Sequence, residues 1–348
     1  VRAGEEAVAM TRSSTVSTAE ALVAPGKGIL AADESTPTIA KRLAAVGVES
    51  TEPVRRAYRE LLLTAPGLSE HISGVILYDE TLRQRTDDGT PFPELVSAAG
   101  MIPGIKVDAG TSALAGFPSE VVTEGLDGLR RRFAEYADLG ARFAKWRAVL
   151  RIGEGRPSRT CIEANAHALA RYAALAQEAG LAPIIEPEVL MDGPHGIDRC
   201  AEVSVAVLWA VYDQLAEHRV LLEGTLLKPN MVLPGTECPD AVDDETVAAR
   251  TVNVMRESVP VAVPGIVFLS GGQSDREATA RLDAINRHGS QPWQLSFSFG
   301  RALQAPVLQA WRGDPANREA AQAALLDRAA LNGAARYGSY RPEMEHPA

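Results

Sequence analysis

The chain has 348 residues, 46% of them hydrophobic and 23% charged, with 45 acidic against 35 basic side chains and a formal charge of -10. That composition supports a large buried core and excludes general nucleic-acid binding, which leaves a basic footprint. Three widely spaced cysteines (Cys161, Cys200, Cys238) fit neither a disulfide framework nor a zinc site, and point to a reducing cytoplasm. No apolar run approaches the roughly 20 residues of a membrane-spanning helix, and VRAGEEAVAM lacks the basic-then-apolar pattern of a secretory signal.

Short β-rich runs alternate with helical patterns along the chain. The runs are 27–33, 72–78, 102–108, 142–150, 182–189, 222–229, 265–271 and 293–300. Between them lie helix signals. Ser158 stands as a cap before an apolar face of Ile162, Leu169, Tyr172 and Ala176, stopped by Gly180. Segment 198–217 sets Val207, Val211 and Leu215 four apart, and Ser274 with Glu277 forms a capping-box pattern. Strand–helix alternation predicts an α/β fold with parallel strands, and eight units favour a closed (β/α)8 barrel. We expect one domain over 1–348 with an N-terminal extension, a helix from Ala302 to about residue 335, and a mobile tail over 336–348.

Polar and charged residues fall near the ends of nearly every run: Asp33, Lys106, Lys145 and Arg147, Glu186 and Glu188, Lys228, Ser270, then Arg301. Residues two apart on a strand share a face, so Lys145 pairs in direction with Arg147 and Glu186 with Glu188. Unpaired burial of such charges is costly, but at the C-terminal mouth of a barrel they neutralise one another and form a site. A lysine crowded by cations has a lowered pKa and attacks carbonyls, and neighbouring carboxylates move protons. Ser270-Gly271-Gly272 ahead of a capped helix suggests a phosphate cradle, with Arg301 closing it. The six histidines (His71, His167, His195, His218, His288, His346) form no close pair, which disfavours a metal-dependent mechanism.

The blocks GKGILAADES (27–36), DDGTPFPELV (87–96), GIKVD (104–108), FAKWRAVL (143–150), EPEVL (186–190), LEGTLLKPNMV (222–232), FLSGGQS (268–274) and FSFGRALQA (297–305) closely resemble class I fructose-bisphosphate aldolases. The resemblance runs from about residue 20 to about 335. It implies a TIM barrel, no metal or other cofactor, a cytoplasmic homotetramer, and no nucleic-acid or membrane partner. It also implies roles. Lys228 would form the Schiff base and Glu186 would be the principal acid/base. Asp33, Lys145 and Glu188 would assist. Lys106 and Arg147 would face the C6-phosphate end. Ser270, Gly271, Gly272, Ser298, Gly300 and Arg301 would bind the C1 phosphate, and Arg42, with Ser35 and Thr38 nearby, would contact substrate. The implied substrate is fructose 1,6-bisphosphate; rival readings are sedoheptulose 1,7-bisphosphate, fructose 1-phosphate, or a non-catalytic scaffold. The chain departs from animal members at Pro37-Thr38, and neither Tyr337 nor Tyr340 is assigned the role of their terminal tyrosine.

Overall fold

A computed structural model describes residues 2–345, with side chains from Thr11 onward. Eight parallel strands close a barrel: β1 (Gly28–Ala32), β2 (Ile72–Leu77), β3 (Ile102–Lys106), β6 (Phe143–Leu150), β7 (Ala182–Val189), β8 (Leu226–Leu227), β9 (Gly265–Phe268) and β10 (Gln294–Phe299). Two short antiparallel strands, β4 (Thr111–Ala113) and β5 (Val121–Thr123), form a hairpin after β3. Its three-residue arms, the first exposed and the second buried only at Thr123, are too short to carry an alternation for a sequence pattern to report. The sixth run holds only two strand residues; its first half is a 3-10 turn, Leu222–Gly224, and Lys228 follows the strand directly.

The strands alternate between two cores. Inside the barrel lie Ile29, Ala31, Ile76, Phe143, Ala182, Ile184, Leu226 and Val267. Leu22 and Val23, at the end of the N-terminal helix Arg2–Leu22, join that cluster and close the lower end. Gly104 makes room for the Phe143 ring, since a Cβ there would stand 2.3 Å from it. Outward residues such as Trp146, Ile185 and Phe268 pack under the helices. Trp146 stacks on Tyr172 of the helix Arg159–Glu178 at 5.7 Å between ring centres.

Helix starts follow the sequence signals. Ser158 accepts from Cys161 N at 3.1 Å. Ser274 and Glu277 cap one another at the start of the helix Asp275–Arg287. Val207, Val211 and Leu215 are buried on the helix Ile197–Glu217. The single helix expected after Ala302 is instead two, Arg301–Trp311 and Arg318–Ala335. The break is local chemistry: Arg312 and Gly313 take positive φ, and Asp314 caps the 3-10 turn Pro315–Asn317.

The aperiodic stretch after residue 335 makes specific contacts over 336–345. Arg336 donates to the carbonyls of Val23, Ala24, Lys27 and Leu295. Tyr340 N donates to Asp283 Oδ1 at 2.8 Å, and Glu345 pairs with Arg328 at 2.6 Å. Residues 346–348, with His346, lie outside the described residues.

Candidate active site

The same alternation that builds the inner core also builds the site. Along β1 the inward row reads Ile29, Ala31, Asp33; along β6, Phe143, Lys145, Arg147; along β7, Ala182, Ile184, Glu186, Glu188; and at β8, Leu226, Lys228. Each row is apolar low in the barrel and charged at the C-terminal end. The charges therefore meet above a dry floor.

There they pair. Lys228 Nζ lies 3.1 Å from Glu186 Oε1, and Lys145 Nζ lies 3.0 Å from Glu186 Oε2 and 2.8 Å from Asp33 Oδ2. All four are buried, at 3–8% exposure, so each depends on its partners rather than on water. Burial opposes ionisation of Glu186, but Lys145, Lys228 and Arg147 outweigh it and hold the carboxyl below its usual range. Burial likewise opposes the Asp33 charge, and Lys145 and then Lys228 override it, so that carboxyl sits far below its ordinary value. Lys145 is also desolvated, yet Asp33, Glu186 and Asp108 push its pKa up. Mutual repulsion among cations, expected from the sequence, is thus not the arrangement found at Lys145; interleaved carboxylates dominate.

Two lobes open from this centre. The larger, about 510 Å³, is lined by Ser35, Pro37, Thr38, Tyr78, Lys106, Asp108, Thr111 and Arg147. The smaller, about 270 Å³, is lined by Arg42, Glu186, Glu188, Lys228, Ser270, Gly271, Ser298, Gly300 and Arg301. Asp33, Glu34, Thr38, Lys145 and Arg147 border both, so the lobes are two ends of one cleft. Every site residue expected from the sequence lines it except Gly272, whose φ of +75° shapes the turn instead. Ser298 Oγ is buried and without a hydrogen-bond partner among the described residues. A Cβ on Gly271 would stand 2.8 Å from Glu188 Oε1, so any side chain there must displace the Glu188 carboxylate.

The cations of the lobes differ in their partners. Lys106 Nζ donates to Asp108 Oδ1 at 2.6 Å and to its carbonyl at 2.8 Å. Arg147 pairs with Glu188 and Arg42 with Glu34. Arg301, exposed at the first position of its helix, has no carboxylate partner among the described residues. The sequence reading missed Glu34 and Asp108 as site residues, though both sat within blocks it singled out. Asp108 follows Lys106 by two, the spacing that already grouped Lys145 with Arg147.

A family model described as "Glycolytic: Fructose-bisphosphate aldolase class-I" matches residues 15–348. The chain belongs to the class I fructose-bisphosphate aldolases. A family relative from Xanthomonas axonopodis, named a probable fructose-bisphosphate aldolase class 1, is 57% identical over 333 residues, covering 95% of this chain and all of the relative. "Fructose-bisphosphate aldolase 6, cytosolic" of Arabidopsis thaliana is 56% identical, covering 92% and 90%. Among solved structures, the Plasmodium falciparum fructose-bisphosphate aldolase, in complex with TRAP and a small-molecule inhibitor, superposes with a TM-score of 0.95 at 49% identity over 96% of each chain. The barrel of this chain is thus shared with the Plasmodium falciparum enzyme.

Proposed function

We propose that the cleft carries out reversible cleavage of fructose 1,6-bisphosphate to dihydroxyacetone phosphate and glyceraldehyde 3-phosphate, with Lys228 as the Schiff-base residue. The carrying observation is the Lys228–Glu186–Lys145–Asp33 chain of contacts between two cation-lined lobes. A sugar with a phosphate at each end fits such a cleft, its reactive carbons over the lysine.

In this reading Lys228 gives a proton to Glu186, and its free amine adds to the C2 ketone. Glu186 returns a proton as water leaves, forming the iminium. The iminium draws in the C3–C4 electron pair as the C4 hydroxyl loses its proton to a carboxylate of the Asp33–Glu186–Glu188 group. Glyceraldehyde 3-phosphate departs. The enamine on Lys228 is protonated at C3, and water releases dihydroxyacetone phosphate. Lys145, held cationic, stabilises the negative charge that passes between Asp33 and Glu186. Ser270, Gly271, Ser298, Gly300 and Arg301, with Arg42, take the C1 phosphate. Gly272 sets their loop. Lys106 and Arg147 take the C6 phosphate, with Ser35 and Thr38 at the rim.

Supporting context comes from relatives named as cytosolic, which fit a cytoplasmic enzyme. A homotetramer and a single domain complete the reading, and a sedimentation mass of four chains is the expected result. The decisive test is borohydride trapping with dihydroxyacetone phosphate in the presence of EDTA. A reduced adduct on Lys228, absent in Lys228→Met along with turnover, is expected. Normal turnover in Lys228→Met refutes the assignment.

A further inference from the structure

We infer that Arg59, which cannot touch a substrate, acts through Glu34 as a positioning residue for Arg42, and that these three side chains set the positive charge presented to a phosphate in the smaller lobe. The inference deepens the proposed function and rests on its placing of Arg42 against a phosphate.

The geometry starts from one alternation. Asp33 ends the inward row of β1, so Glu34 turns the other way, toward the helices. There its Oε2 lies 2.7 Å from Nη2 of Arg59, on the helix Glu52–Leu63. Its Oε1 accepts from the Arg42 guanidinium, on the helix Thr36–Ala44, and from Gln304 Nε2 at 2.8 Å. Gln304 also donates to the Ala31 carbonyl at 2.7 Å and accepts from the Tyr58 hydroxyl at 3.1 Å. Gln304 stands one turn into the helix that Arg301 opens. Glu34 therefore ties together the two elements that carry Arg42 and Arg301.

The charges do not balance. One carboxylate serves two guanidiniums. Arg59 is only 2% exposed and has no second carboxylate among the described residues. It also reaches Gln304, at the limit of hydrogen bonding, and lies over the Tyr58 ring. The network thus carries a surplus positive charge. Glu34 borders both lobes, but of the two guanidiniums it is Arg42, with a side chain 26% exposed, that lines the smaller lobe. Buried surplus charge is costly until a counterion meets it. A phosphate at Arg42 is that counterion, and Arg59 strengthens its capture from beyond contact.

Two charge-removing changes move this charge in opposite directions. Arg59→Gln keeps a donor for Glu34 and removes the surplus. Glu34→Gln keeps an acceptor for Arg42 and enlarges it. Inorganic phosphate is titrated into the full chain by 31P line broadening, alongside steady-state cleavage of fructose 1,6-bisphosphate. Arg59→Gln is expected to weaken phosphate binding about tenfold and to raise KM by more than it lowers kcat, while Arg59→Lys recovers most of both. Glu34→Gln is expected to tighten phosphate binding. A purely structural network predicts otherwise: lower melting temperatures, with phosphate affinity unchanged or weakened by both changes. That outcome overturns the inference. If Arg59→Gln does not fold, Glu34→Gln alone decides by its sign. Phosphate binding is read apart from cleavage. A parent that binds phosphate but does not cleave the sugar bisphosphate therefore defeats the Schiff-base reading and leaves this one standing.

Discussion

Lys145 is the cation on which the centre of the site turns, and Lys145→Met measures how much. Methionine keeps most of the volume and removes the charge. It leaves Asp33 and Glu186 buried, with Lys228, 3.1 Å from Glu186, as the remaining close cation. Removing one partner of a buried pair costs about 3–5 kcal/mol. The cost depends on pH, with a definite sign. In the parent, Asp33 and Glu186 have carboxyls held below their ordinary values. Their stabilisation is complete above the unfolded-state range of about pH 4 and is lost as pH falls through the folded values. In the variant at least one carboxyl rises above that range, so its folded state weakens as pH climbs through the new value. The stability gap between parent and variant is therefore widest near pH 8 and narrows toward pH 5. Urea midpoints at the two pH values, converted with a common slope, read it directly. Turnover should fall by about 10²–10³, the usual worth of one preorganised charge-stabilising donor. A gap under about 1 kcal/mol, or one equal at both pH values, would refute the claim that Lys145 holds these carboxylates ionised.

Gly271→Ala places a Cβ 2.8 Å from Glu188 Oε1 and 3.0 Å from Leu269 Cδ1. The Glu188 carboxylate must shift to admit it, so kcat/KM should drop about tenfold with little loss of stability, read by steady-state kinetics beside a melting curve. Arg336→Met acts at the other end of the barrel. Burial pulls that guanidinium down to about 10, and it serves the carbonyls of Val23, Ala24, Lys27 and Leu295 and the Gln294 amide oxygen. Its loss should cost roughly 2–5 kcal/mol by denaturation while kcat stays at the parent value.

Most of the barrel was legible because its strands are hidden on both faces, and such strands read as compact apolar runs bounded by turn residues. Boundaries were legible where a side chain closes the backbone, as at Ser158 and at Ser274 with Glu277. They were not where tertiary packing decides. The sixth run is rich in leucine, yet only Leu226 and Leu227 pair as strand, because Thr225 and Gly224 turn back on Leu222 and Leu221. The helix break at Arg312 was written in Gly313-Asp314-Pro315, but helical periodicity on both sides masks it. The tail shows the converse. Tyr340 and Glu345 find partners on two different helices, and no local period can announce contacts at such distance in sequence.

The site divides along the same line. Inward residues were legible because the period of two carries each strand from an apolar floor to a charged rim, and that shift marks Lys145, Glu186 and Lys228 without any partner being known. Glu34 was not, because it breaks the row: adjacent to Asp33, it faces the helices, where a glutamate ordinarily belongs to the surface. Only the fold reveals that Arg59 and Gln304 wait there, from chain segments 25 and 270 residues away. The inward row supplies the reacting groups, and its outward neighbours supply the charge and rigidity those groups depend on. Sequence periodicity reports the first. The second is a product of packing, and this is why the electrostatics of the cleft, rather than its chemistry, needed the structure.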